Sequence, residues 1–419
     1  MAPENGAAPV SRAGRGPSSA RDIGALFRRH GDAYRGTHAL GALERRALRD
    51  ISVCRTGALG GRRDVCACGH ERVAFNSCRN RHCPKCQALR QARWVAARTA
   101  RALPVRHFHV VFTLPAELRP LVRHHAAVLL DLLFASTAST ILDLGLDPKR
   151  LGALVGATGV VHTWGRNLSY HPHVHFIVTA GGLAPDGRWV DSAERYLLPV
   201  KVMARLFRGR FLDGLARLFA EGRLAPRPRA PAAVAALADA TALAQLENTL
   251  YRKPWLVYAK APFANSTALF RYLGLYTHRV AISNRRILSV GEHQIVFRTR
   301  GDKICRLSPL EFMRRFLQHV LPRGFIKIRH FGLLAPGNIN GKLATARTAL
   351  ETRATATNAR AQPRLPELVS EDWRALLKRL TGIDLGVCPD CGGALRSEPL
   401  VDVITAAAVV ARGPPKMPP

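Results

Sequence analysis

The chain has 419 residues, with 63 Lys and Arg against 29 Asp and Glu, a formal net charge of +34. At 47% hydrophobic it holds enough apolar side chain for two or three cored domains, which excludes a wholly disordered basic chain. A field of that sign attracts a polyanion, and nucleic acid is the commonest one.

Residues 1–20 are rich in Gly, Pro, Ala and Ser and lack an apolar run, so they read as a flexible arm and not as a signal peptide. Residues 21–103 hold six of the nine cysteines and end in the basic helical stretch KCQALRQARWVAARTARAL. Short C-x-C and C-x2-C spacings in a chain with no export segment point to metal ligation and not to disulfides. Cys66 with Cys68, and Cys83 with Cys86, each place two thiolates on one edge of a tetrahedron. These four are the first choice for a structural Zn2+. Cys54, Cys78 and His82 remain as ligands of a second or alternative ion. Cys388 and Cys391 form a late half-site that takes its other ligands from elsewhere, takes them from another subunit, or binds no ion.

The β-branched, aromatic run at 105–115 predicts a strand, and 159–164 and 173–183 predict two more joined by the polar GRNLSYHP. WLVYAK at 255–260 is a fourth, and a later hairpin surrounds Gly291. Helices fit 121–144, 201–220, 266–278 and 309–320. The apolar run at 127–146 carries Asp131 and Asp143, so it reads as a soluble amphipathic helix with no membrane partner. One domain is expected over 104–335, with a helical insertion at about 201–250, and a basic, partly disordered tail over 336–419. Strands adjacent in sequence and mixed with helices predict an α+β fold.

Two constellations carry chemistry. His173 and His175 alternate along a strand, so both imidazoles face one side, at a separation that one divalent cation, Mg2+ or Mn2+, can bridge. His171 and His162 are the options for a third ligand. His107 and His109 share the same spacing, a reminder that such pairs also arise by chance. Tyr272 and Tyr276 lie one turn apart on one face of a helix. A phenol with a pKa of about 10 is a poor nucleophile until a metal polarises its target phosphate. Together these residues describe attack of tyrosine on a DNA phosphodiester, giving a 5′-phosphotyrosine and a free 3′-hydroxyl. The phosphotyrosine conserves the bond energy, so no nucleotide cofactor is needed, and no G-x-x-x-x-G-K-[ST] loop occurs. Lys260, Arg279, Asn284, Arg285 and Arg286 are candidates for gripping DNA phosphates, and Phe108 or Trp164 for stacking on bases.

The stretches FRRHGDAYR, CRTGALGG, NSCRNRHCPKCQ, FHVVFTLPAEL, YHPHVHFIVTAGG, WLVYAKAPF, RYLGLYTHRVAISNRR and EFMRRFLQHVLPRGFIKIRHFGLLA occur in that order between about residues 26 and 335. In them the chain resembles the HUH (His-hydrophobic-His) rolling-circle transposases of bacterial insertion sequences, the IS-ninety-one-like type. The resemblance implies an N-terminal zinc-binding domain and a ferredoxin-like antiparallel-sheet nuclease domain. It implies the metal pair at His173 and His175 and nucleophiles at Tyr272 and Tyr276. It further implies transfer of single-stranded element ends to a DNA target, in the bacterial cytoplasm at the nucleoid. The shortened C-A-C pair departs from the family pattern. Other readings of the same residues are a zinc-dependent DNA-binding protein without catalysis and a plasmid rolling-circle replication initiator.

Overall fold

The computed structural model describes residues 22–226, 230–263, 274, 281–356 and 372–400. The chain opens with α1 (Ile23–Thr37) and α2 (Ala42–Ser52). Asp22 starts α1 by accepting the Ala25 amide at 2.8 Å, and Ile23, Leu26, Phe27 and Tyr34 recur at helical spacing to give it a buried stripe. A short hairpin follows, β1 (Gly61–Val65) and β2 (Glu71–Phe75), and then the basic α3 (Ala88–Arg101).

The central sheet begins with β3 (His107–Thr113). The helix expected over 121–144 is interrupted at His125 into α4 (Arg119–His124) and α5 (Ala126–Leu146). Next come β4 (Leu154–Trp164), β5 (Tyr170–Leu183), the short β6 (Trp189–Asp191) and α6 (Val200–Ala220). Helices α7 (Ala232–Ala235) and α8 (Ala240–Arg252) lead into β7 (Leu256–Phe263). The expected helix over 266–278 lies outside the described residues except for Gly274.

A three-stranded sheet, β8 (Ile287–Val290), β9 (Ile295–Arg298) and β10 (Ile304–Leu307), precedes α9 (Pro309–Leu317). Strand β11 (Ile328–Gly332) returns to the central sheet. Helices α10 (Lys342–Ala356) and α11 (Trp373–Thr381) and strand β12 (Arg396–Pro399) complete the described chain. β12 pairs with β1, so the late segment lies on the N-terminal module.

The central sheet is antiparallel, in the order β11-β4-β5-β3-β7, with β6 beside β5. Connection β3–α5–β4–β5–α6–β7 in that order is the ferredoxin-like arrangement. Alternation sends Phe108, Val110, Phe112, Val174, Phe176 and Val178 to one face, where α5 and α6 bury them with Leu133, Phe134, Phe207 and Phe211. Gly159 lets α5 come close, because a Cβ there would stand 2.8 Å from the Phe176 ring and 3.0 Å from that of Phe134. By length and composition α5 could cross a membrane, yet it is the core helix of this sheet. A second core joins α1 and α2 to α9 and the β8–β9 hairpin.

Candidate active site

The face of the sheet opposite the core carries the histidines. His162 on β4 is directly across from His173 on β5, and Val160 from His175. Pro172 does not end β5: a register shift between His162 and Trp164 accommodates it, and its carbonyl still accepts from the Leu114 amide at 3.1 Å. One ring nitrogen from each of His162, His173 and His175 lies within 4.8 Å of the others. An ion with bonds of about 2.1 Å gathers such a set with small ring movements. His162 is therefore the third member. His171, the other option, turns its Nδ1 to Arg119 at 3.2 Å.

The tautomers suit ligation. Nδ1–H of His173 donates to the His171 carbonyl at 2.6 Å, which leaves Nε2 as the lone-pair nitrogen. Nδ1 of His175 is hydrogen-bonded to Nε2 of His109 at 2.8 Å. Burial, reinforced by the neighbouring imidazoles, holds His173 down to about 4 and His175 well below the ordinary value, so both are neutral near pH 7. His109, read in sequence as a chance repeat, is thus part of the site.

Trp164 stacks on His162 with ring centroids 4.5 Å apart, and Lys327, at the mouth of β11, places Nζ 5.3 Å from the Trp164 ring. Burial and the Arg81 charge lower Lys327 to about 7. Sequence reasoning missed Lys327, because nothing in its spacing sets it apart from the other cations. Trp164 faces a histidine here, and Phe108 belongs to the core under the sheet.

Gly274, the described residue of the tyrosine-bearing stretch, packs on α3: a Cβ there would stand 2.3 Å from Val95 Cγ2. One turn further along α3, Arg98 reaches His330 at 2.9 Å, and His330 bonds Thr158 on the histidine face of β4 at 3.0 Å. Contacts thus run from Gly274 through α3 and His330 to Thr158 on β4. Tyr272, Tyr276 and Arg279 lie outside the described residues.

Among the expected phosphate-gripping residues, Lys260 and Arg285 are exposed. Arg286 instead ties loops together, donating to the Arg298 carbonyl at 2.8 Å and to that of Arg166. Asn284 accepts the Ile23 amide at 3.3 Å.

The cysteine set expected from sequence is divided. Cys83 and Cys86 meet Cys54 and Cys78, whereas Cys66 and Cys68 meet Cys388 and Cys391, each quartet with its sulfurs within 4.8 Å of one another. The hairpin of β1 and β2 carries its own knuckle away from the Cys83 turn, which is why Cys66, Cys68, Cys83 and Cys86 do not converge. Thiol-to-thiol hydrogen bonds lower Cys54 to about 7 and push Cys86 far below the usual thiol range. Both quartets suit zinc, which takes four thiolates in a closed tetrahedron. His82 is not a ligand in either: its Nε2 accepts the Leu321 amide at 3.1 Å. Beside it Arg81 donates to the carbonyls of Pro322 and Phe325, so the turn between Cys78 and Cys83 grips the loop leading to Lys327.

A family model described as "Putative transposase" matches residues 156–342, and one described as "Transposase zinc-binding domain" matches residues 26–114. The chain is 41% identical over 382 residues to "Putative transposase y4qJ" of Sinorhizobium fredii, spanning 89% of this chain and 93% of that protein. It is 30% identical over 310 residues to "Transposase for insertion sequence element IS801" of Pseudomonas savastanoi pv. phaseolicola, spanning 70% and 72%. No solved structure matches. An antiparallel sheet bearing a histidine cluster, joined to a cysteine-rich zinc-binding module, is here the frame of an enzyme acting on DNA. The chain belongs to the IS-ninety-one-like family of insertion-sequence transposases.

Proposed function

We propose that this transposase cuts one DNA strand at an element end by tyrosine attack and rejoins it elsewhere, in the cytoplasm and without a nucleotide cofactor. The observation that carries the reading is the convergence of His162, His173 and His175 on the face of a ferredoxin-like sheet opposite its core. These imidazoles would hold a divalent cation, whose charge would polarise the scissile phosphate. An all-imidazole set suits Mn2+ better than Mg2+, which prefers oxygen.

The chain's own residues do the rest. His109 and the His171 carbonyl fix the ring tautomers of His175 and His173. Tyr272 or Tyr276 supplies the oxygen: its Oη–P bond forms as the P–O3′ bond breaks, and the proton given up by the phenol balances the one taken up by the departing 3′ oxygen. A second tyrosine lets the site hold one 5′ end while another strand is attacked. Exposed Lys260 and Arg285 supply positive charge for single-stranded DNA. The Cys54, Cys78, Cys83 and Cys86 quartet is structural, because four thiolates leave no open position.

The test is incubation of the full chain with a single-stranded element-terminus oligonucleotide and Mn2+. A protein–DNA adduct that disappears in Tyr272→Phe/Tyr276→Phe is expected. Tight binding with no adduct in the native chain would instead support a DNA binder without catalysis.

A further inference from the structure

Cys388 and Cys391 lie outside both family segments, yet they complete a tetrahedral sulfur set with Cys66 and Cys68. Sγ of Cys66 is 3.4 Å from that of Cys391, and Sγ of Cys68 is 3.7 Å from that of Cys388. A zinc ion with bonds of about 2.3 Å sets tetrahedral edges near ~3.8 Å, whereas a disulfide requires about 2.05 Å. The spacing is that of shared ligation.

The backbone is built for the same purpose on both halves. After Cys66 the chain turns back through Gly69 at φ 91°, with the Cys66 amide bonded to the His70 carbonyl at 3.0 Å. After Cys388 it turns through Gly392 at φ 73°, with the Cys388 amide bonded to the Gly393 carbonyl at 2.8 Å. Only glycine adopts such angles without strain. The Gly393 amide points at Cys391 Sγ, at 3.4 Å, as an amide does toward a thiolate.

The two halves are also fastened beside the sulfurs. β12 pairs with β1 from Val65↔Arg396 to Arg62↔Pro399. Asp64, fully buried, accepts from Ser397 at 2.6 Å and from Arg62 and Arg72, and Arg72 also donates to the Leu385 carbonyl at 3.0 Å. His70 bonds Asp390 at 2.7 Å. Ladder and salt links set the register, and four thiols are then left facing one point.

We propose that Cys66, Cys68, Cys388 and Cys391 bind a second structural zinc ion, assembled from halves more than 300 residues apart, which locks residues 385–399 into the N-terminal module. The site closes a very long loop, the situation in which a cross-link removes most freedom from the unfolded chain. It also braces α3: α11, upstream of the late cysteines, packs against α3 and sets Trp373 beneath the Arg62 guanidinium at 6.0 Å. Gly274 rests on that same helix.

The experiment counts zinc in the full chain, in a His173→Ala/His175→Ala background so that the histidines add no ion. Two zinc ions per chain are expected. Cys388→Ser/Cys391→Ser should lose one, and Cys391→His should keep it. Limited proteolysis of the serine variant should release the segment beyond 372 while the central sheet stays resistant. A native count of one zinc, or a serine variant that retains two, overturns the proposal. So does loss of four alkylatable thiols in the denatured, chelated but unreduced chain, the mark of two disulfides. None of these readouts depends on strand cleavage, so the proposal fails or stands separately from the functional reading.

Discussion

Nε2 of His109 on β3 lies 2.8 Å from Nδ1 of His175 on the neighbouring β5, with the two rings nearly parallel. The contact crosses the sheet on the histidine face and sets which nitrogen of His175 is offered to a ligand. His109→Leu is therefore expected to weaken Mn2+ binding by about 10- to 100-fold with little change in folding, since partners of ligating histidines contribute on that scale. Isothermal titration of the variant with Mn2+ measures it; native affinity would remove His109 from the site.

The seat of Gly274 on α3 is tight enough to be tested by size. Gly274→Ala drives its methyl into Val95, so adduct formation should fall, and Val95→Ala should restore much of it in the double variant. If the two substitutions act additively, α3 does not position the tyrosine-bearing stretch.

Acid stability follows from buried bases outside the metal cluster. Burial lowers His107 and His330 to about 4 and His82 and His319 to about 3. The unfolded chain takes up these protons near 6.5 and the folded chain does not. Stability therefore rises with pH between about 4 and 6.5 and is lost as pH falls through that window, by at most about 1.4 kcal/mol per pH unit per proton. Lys327, lowered to about 7, adds the same sign between about 7 and its ordinary value of about 10.4. Thermal unfolding across pH 4.5–9 should show both slopes, and Lys327→Met should flatten the upper one. A level profile would contradict these burials.

The first zinc quartet sits inside the second core, where Cys54 and Cys83 are buried with Ile51, Phe27 and Phe316. Cys54→Ser should strip that ion and loosen α1 and α2 while the central sheet persists. Hydrogen exchange should show lost protection over 23–52 and unchanged protection over 154–183. Uniform loss across both regions would mean that the module and sheet are one cooperative unit.

The central sheet was legible because its residues alternate: VRHFHVVFTLP and HVHFIVTAGGL announce both the strands and their two faces. The third histidine was only half legible. His162 meets His173 through the pairing register of β4 and β5, which a bulge sets and periodicity does not record. The cysteine grouping was not legible at all, since sulfur ligation is blind to sequence distance and Cys66 meets a residue 325 positions away. Strands β1, β2 and β12 were hidden for another reason. GRRDV, ERVAF and RSEP are short and charged, and a buried Asp64 network stands where an apolar stripe would have signalled them.

Electron paramagnetic resonance of Mn2+ added to the full chain tests the histidine cluster most directly, by reading nitrogen couplings at the bound ion. The account predicts one Mn2+ with imidazole nitrogen couplings, lost in His173→Ala, in His175→Ala and in His162→Ala but kept in His171→Ala. An ion bound equally well after all three cluster histidines are removed, or one with no nitrogen coupling, would contradict it.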